Sequence, residues 1–277
     1  MKATVLAYIR LPHFVPIVAV LTATAILAVI LAGEDLTVSA LLRLLLALLG
    51  GQVVVGVVNE LVDVETDRLT KPDKPIPSGI VTTNGARNLG IAGLLLMLTA
   101  GATFGWQSLV LLVIGNVIGV AYSIWFKRTS LSWLPYLVAL PLLPVWIAVS
   151  FTAFDASMVA LFPLGILGGL AVHIAQALPD IDPDRVAGID NLTSRLGETR
   201  AIRVCWFALL GLSIMLMVAA FATGDLSARM FAAIAIVTAS ILAHMLLYRY
   251  RRRVGVMAAF PIAAASVGVL AFVWLAR

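Results

Sequence analysis

Charge is scarce in this sequence. Only 12% of its residues are Asp, Glu, Lys or Arg, against about 25% in a soluble domain. With 62% hydrophobic residues there is too little polar surface to cover an aqueous globule, so lipid is the expected solvent. Cysteine is almost absent. Cys205 stands alone in an apolar run, which excludes a disulfide framework and zinc-ligand spacing. It reads as a small buried or lipid-facing residue. Carboxylates are few as well, and most of the 14 crowd into two stretches, 59–87 and 179–201.

What is present is a series of long apolar runs. A membrane-crossing helix needs about 20 such residues, and nine candidates meet this: 13–32, 38–58, 88–105, 107–126, 132–152, 157–178, 202–222, 229–247 and 255–275. Backbone groups cannot stay unpaired in hydrocarbon, so the runs are predicted to be helices. The fold class expected is an all-α membrane protein, a bundle of nine transmembrane helices forming one domain over 1–277. The first run follows Arg10-Leu-Pro-His. It lacks a convincing cleavage site and is read as a helix, although a signal peptide is the other possibility.

The net charge of +5 could indicate nucleic acid, but the basic residues lie between the apolar runs, which points to membrane topology and to no nucleic-acid partner. With the N-terminus in the cytoplasm and nine alternating spans, sixteen of the 19 Lys and Arg fall on the cytoplasmic side, while only Arg229 and Arg277 fall outside. A missed or extra helix would scramble that asymmetry. The C-terminus is then outside, and both carboxylate-rich stretches are cytoplasmic loops. Long loops in a compact protein tend to carry function.

The first stretch contains Asn59, Asp63 and Asp67 at i, i+4, i+8, a spacing that lines them along one helical face. Stacked like charges repel and resist desolvation, and a cation relieves both. Oxygen donors suit Mg²⁺, which shares its coordination with waters and substrate phosphates. Gln176, Asp180 and Asp184 repeat the amide–acid–acid spacing, although Pro179 and Pro183 weaken the expectation of a regular helix. Neither stretch has EF-hand spacing. Basic residues nearby would complete a diphosphate site: Arg68, Lys71, Lys74, Lys127, Arg128 and Arg185 are the candidates, with Tyr122 beside Lys127 near the end of the fourth run. Each of these basic residues also serves as a topology determinant. His13 and His244, near run ends, read as interfacial.

Asn59-x3-Asp63-x3-Asp67 with Lys71-Pro-Asp-Lys-Pro-Ile-Pro-Ser-Gly79, and Asp180-x3-Asp184-Arg185-x2-Gly188, resemble the two signatures of the UbiA-type intramembrane prenyltransferase superfamily. The resemblance covers essentially the whole chain. It implies Mg²⁺-dependent transfer of a prenyl group from a prenyl diphosphate to a small lipophilic or aromatic acceptor. Asn59, Asp63, Asp67, Asp180 and Asp184 would hold metal. Arg68, Lys74, Tyr122, Lys127 and Arg128 would hold diphosphate. The four aspartates and Lys127 form the implied catalytic set. Tyr122 and Lys127 are spaced Tyr-x4-Lys where the family has Tyr-x3-Lys. The Lys71–Gly79 stretch is closer to the geranylgeranylglyceryl phosphate synthase and chlorophyll synthase branches than to the 4-hydroxybenzoate branch. His173 and Gln176 replace the acid and tyrosine of that last branch, which disfavours a 4-hydroxybenzoate acceptor and makes them the acceptor-side candidates.

In the implied mechanism the diphosphate leaves, the allylic C1 becomes cation-like and the acceptor captures it. Trp125, Phe126 and Trp133 either exclude water from the cation or form an interfacial belt. One alternative is a terpene cyclase on the same scaffold. A more distant one is a membrane transporter, whose acids would lie at mid-membrane. A prokaryotic inner membrane is the simplest location.

Overall fold

The structure is a computed structural model that describes residues 2–224 and 226–276. Asp225 and Arg277, the latter counted above as an outer charge, lie outside the described residues. The regular elements are helices: α1 Lys2–Arg10, α2 Phe14–Ala32, α3 Val38–Thr70, α4 Thr83–Ala102, α5 Trp106–Ile124, α6 Leu134–Ser150, α7 Leu161–Ala177, α8 Ile181–Val186, α9 Leu192–Leu196, α10 Glu198–Thr223, α11 Ala228–Tyr250 and α12 Arg252–Leu275. Among the described residues there is no strand.

Eight helices among the described residues are long and apolar enough to cross a membrane. The remaining apolar run, over 132–152, is α6, with 17 residues. At 1.5 Å per residue it reaches about 26 Å, against a hydrocarbon core of about 30 Å. Side-chain oxygens at helix starts satisfy first-turn N–H groups: Thr37 accepts from Ala40, Thr82 from Gly85 and Ser227 from Met230.

The chain divides into two compact units, residues 1–127 with 142–154, and 128–141 with 155–277. In the first, Ala28, Leu44, Ala47, Met97, Trp146 and Ile147 form a core. Here α3 and α4 pack backbone to backbone. A Cβ on Gly50 would sit 2.5 Å from the Gly93 carbonyl oxygen and from the Met97 nitrogen, so only glycine fits there. In the second unit the core includes Ile174, Ile202, Leu209, Leu216, Ile241 and Leu270, all fully buried. The outward faces stay apolar: Phe207 is 71% and Phe221 63% exposed, which costs nothing in lipid and would be expensive in water.

Two local features differ from the sequence expectation. Of the stretch 59–87, only 71–82 is non-helical, because α3 continues past its apolar part and carries the whole first motif. The stretch 179–201 contains a 3-10 turn over Leu178–Asp180, then α8 and α9, and the start of α10. Pro179 opens the 3-10 turn and Pro183 sits in the first turn of α8. A missing N–H is harmless at both places.

Two side chains buried in the second unit correct or complete earlier readings. His244, near the end of α11, is packed between helices. It is 2% exposed, accepts from the Trp206 indole N–H at 3.0 Å and reaches the Gly255 carbonyl with Nε2 at 2.8 Å. An acceptor at Nδ1 and a donor at Nε2 are what a neutral imidazole offers, so it is a helix-packing residue. Cys205 is buried against the Ala171 carbonyl.

Candidate functional site

In the first unit, one face of α3 presents Asn59, Asp63 and Asp67, each about 6 Å further along the axis than the last. Asp63 and Asp67 are each 5% exposed. Buried carboxylates need paired cations, and two lysines from outside the helix supply them. Lys127, in the 3-10 turn Phe126–Arg128 after α5, forms an ion pair with Asp63. Its Nζ also lies 3.4 Å from Asn59 Oδ1. Lys74, in the 71–82 loop, donates to Asp67 Oδ2 at 2.8 Å.

Lys74 has a second acceptor that sequence reading passed over, Glu60 Oε1 at 2.6 Å. Glu60 is 2% exposed, and its Oε2 is buried with no hydrogen-bond partner among the described residues. Burial alone would lower the Lys74 ammonium's pKa. The Glu60 charge and the hydrogen bonds to Asp67 and Glu60 outweigh it, so the pKa is raised and Lys74 is charged at neutral pH. His13 joins the same cluster with Nε2 3.2 Å from Glu60 Oε1 and 3.4 Å from Asn59 Oδ1. The Glu60 carboxylate oxygen is an acceptor, so Nε2 carries the proton toward it. Partial desolvation, with the side chain still 43% exposed, holds the His13 pKa below its ordinary value, with Lys74 and Lys127 acting in the same direction and Glu60 against. His13 is also one of the two non-glycine residues at positive φ among those described, at 62°. An acid one residue after Asn59 and a histidine just before the first span were visible signals, but only the fold brings them together.

Arg68 does not join this cluster. Its guanidinium pairs with Glu65 at 2.8 Å on the exposed side of α3, one helical step round from Asp67. Tyr122 is half-buried near the end of α5, and Lys71 is half-buried just beyond α3. Trp125 is 66% exposed, a position for a membrane belt rather than a cavity wall. Phe126 is half-buried.

In the second unit, Asp184 Oδ2 accepts from the Asn191 amide at 2.6 Å, and Asn191 is itself 4% exposed. Asp180 is half-buried, Arg128 is exposed and Trp133 half-buried. His173 is 1% exposed, with Nε2 2.9 Å from Ser132 Oγ. The Tyr136 ring lies 5.0 Å from the His173 ring, and its hydroxyl donates to Gln176 Oε1 at 2.9 Å. Tyr136 therefore touches both acceptor-side candidates. Asn191, Ser132 and Tyr136 were not singled out from sequence, because nothing in their spacing links them to 173–184.

Among the described residues no group of three or more His, Cys, Asp and Glu is poised to hold a metal ion by itself. The donor set nevertheless fits Mg²⁺, which is bound through one or two carboxylates together with substrate phosphates and water rather than by an all-protein cage. Asp63, Asp67 and the Asn59 oxygen are hard donors on one face, and the buried Glu60 Oε2 has acceptor capacity to spare.

A sequence model of the UbiA prenyltransferase family matches residues 19–276. A digeranylgeranylglyceryl phosphate synthase of Natronomonas pharaonis is 29% identical over 150 residues, 53% of this chain and 53% of that protein. One of Methanopyrus kandleri is 28% identical over 192 residues, 67% of this chain and 68% of that protein. The chain thus spans about half to two thirds of the length of these curated relatives. A solved structure of a UbiA homolog from Archaeoglobus fulgidus, bound to GPP and Mg²⁺, superposes with a TM-score of 0.75 at 18% identity, covering 96% of this chain and 99% of that one.

Proposed function

The chain belongs to the UbiA prenyltransferase family and is an integral membrane protein, and we propose that it transfers a prenyl group from a prenyl diphosphate to a lipophilic or aromatic acceptor. The observation that carries this reading is the lysine-paired carboxylate face of α3, Lys127 on Asp63 and Lys74 on Asp67. Acids that can hold a metal and ammonium groups that can turn to phosphate oxygens are then within one cluster.

Asn59, Asp63 and Asp67 would hold Mg²⁺ in the first motif, and Asp180 and Asp184 in the second. Magnesium, when bound, supplies positive charge to the diphosphate oxygens. Lys127 and Lys74 donate hydrogen bonds to the leaving diphosphate as its C–O bond breaks, stabilising charge where it develops. Glu60 keeps Lys74 in place if Asp67 turns to the metal. The allylic C1 then forms its new bond to the acceptor, whose proton is released. His173 and Gln176, joined through Tyr136, lie on the acceptor side in this reading. The names of the archaeal relatives favour a lipid acceptor, in keeping with the departure from the 4-hydroxybenzoate pattern at 173 and 176.

In this reading the chain has nine spans, with α6 as the short one, and its N-terminus and both acidic motifs face the cytoplasm of a prokaryotic cell. Sixteen of 19 basic residues on that side support this orientation. The test is to incubate the purified protein in nanodiscs with a panel of prenyl diphosphates and acceptors, with and without Mg²⁺, and to identify products by mass spectrometry. A prenylated acceptor formed only with Mg²⁺ is expected. A hydrocarbon or terpene alcohol formed without acceptor would overturn transfer in favour of cyclisation.

A further inference from the structure

A second basic feature borders the second motif, in the second unit. A cavity of about 850 Å³ is lined by Leu178, Ile181, Asp182, Arg185, the start of α10 (Leu196 to Arg200) and the start of α12 (Arg252, Arg253, Val256 and Met257). Leu178, Pro179, Ile181, Asp182 and Arg185 contribute to the lining, and Asp180 and Asp184 do not.

Four arginines and two acids line it. The acids are not enough to neutralise the arginines. Glu198 is taken by Arg252 at 2.5 Å and by the Tyr248 hydroxyl at 2.8 Å. Asp182 lies 3.7 Å from Arg185 in a solvent-exposed pair, where attraction is weak. Arg200 and Arg253 have no carboxylate partner among the described residues. Gly197, at φ 71°, precedes α10, and the Arg185 guanidinium lies beside it: a Cβ there would be in ordinary contact, 3.4 Å from Arg185 Nη2. Neither α10 nor α12 has a side-chain cap at its N-terminus, so first-turn N–H groups add to the positive field. The rest of the lining is apolar, and Met257 is 63% exposed beside the arginines. Both α10 and α12 are membrane-spanning candidates that begin at this cavity, which puts it at headgroup depth.

We infer that this cavity binds a phosphate-bearing anion and that its occupant is the headgroup of an anionic phospholipid. Arg200 and Arg253 contact the phosphate, and the acyl chains run along Val256 and Met257. A soluble phosphate would satisfy the arginines but leave the apolar wall uncovered, which is why lipid is preferred.

The test uses the full chain in mixed phosphatidylcholine and phosphatidylglycerol nanodiscs, with retained lipid counted by native mass spectrometry. Each surface arginine contributes roughly fivefold in affinity for an anionic headgroup. The Arg200→Gln/Arg253→Gln variant should then retain about 25-fold less phosphatidylglycerol, with phosphatidylcholine unchanged. Arg200→Lys/Arg253→Lys should recover part of the loss, since it keeps the charge without the guanidinium fork. Arg249→Gln/Arg251→Gln removes two charges beside the cavity and should retain lipid like the wild type. Undiminished retention in the Arg200/Arg253 double Gln variant would overturn the site. So would an equal loss in the Arg249/Arg251 variant, which would mean diffuse attraction to the basic surface. Displacement of the lipid by inorganic phosphate alone would overturn the lipid assignment and leave a soluble phosphate.

Discussion

Lys127 and Asp63 are 64 residues apart in the sequence and form an ion pair. The pair ties the turn after α5 to the middle of the acidic face of α3. In the proposed reaction each partner has a separate duty, Asp63 toward the metal and Lys127 toward the leaving diphosphate. Loss of a donor that stabilises developing charge costs about 10²–10³ in kcat. Lys127→Ala should therefore lower prenyl transfer by about 100-fold, and Asp63→Asn should remove the Mg²⁺-dependent rate. Steady-state assays with radiolabelled prenyl diphosphate at varied Mg²⁺ check both. Wild-type turnover in either purified variant would sink the assignment.

Glu60 holds Lys74 from beneath. Removing one partner of a buried pair leaves the other uncompensated, at a cost of about 3–5 kcal/mol. Because Lys74 is 22% exposed, the lower end applies. Glu60→Ala is expected to lower the thermal midpoint in detergent more than Glu60→Gln, which keeps a hydrogen-bond acceptor for Lys74. Both should raise KM for the prenyl diphosphate, while Arg68→Gln, whose guanidinium pairs with Glu65 on the exposed side of α3, should leave it unchanged.

The His13 imidazole titrates below its ordinary value when folded. Between its folded pKa and the unfolded value of about 6.5, the unfolded chain binds more protons than the folded one. Stability from this group is therefore complete above about pH 6.5 and lost as pH falls through that window. Thermal midpoints measured from pH 7.5 to pH 5 should drop less for His13→Gln than for the wild type; parallel curves would contradict the shift.

Gly50 marks the closest approach of α3 to α4. Both atoms that a Cβ would meet at 2.5 Å are backbone, so no side chain can move aside. Overpacking of a rigid contact costs about 1–3 kcal/mol or more. Gly50→Ala is expected to lower thermal stability and, by displacing the acidic face of α3, activity as well. Gly268→Ala meets nothing within 4 Å and serves as the control.

Topology is open to chemical labelling, because the single native thiol is 1% exposed and silent to membrane-impermeant maleimides. Asp73→Cys, in the 71–82 loop, should react only from the cytoplasmic side, and Phe154→Cys only from the outside. Reversed accessibility would overturn the orientation.

Much of this protein was written in its sequence. Backbone groups in hydrocarbon must pair locally, so apolar runs had to become helices, and eight of the nine runs lie on helices long and apolar enough to cross a membrane. The i, i+4, i+8 acids were equally local, since a regular helix alone puts Asn59, Asp63 and Asp67 on one face. What tertiary structure decided was the partner of each charge. Arg68 is adjacent to Asp67 in sequence yet turns to Glu65, while Lys74 and Lys127 arrive from separate loops. Glu60 and His13 became part of the cluster, and Tyr136 met His173 and Gln176, only when distant helix ends were packed together. Helical periodicity fixes which face a residue occupies; what stands opposite that face depends on contacts between segments far apart in the chain, and no local pattern encodes those.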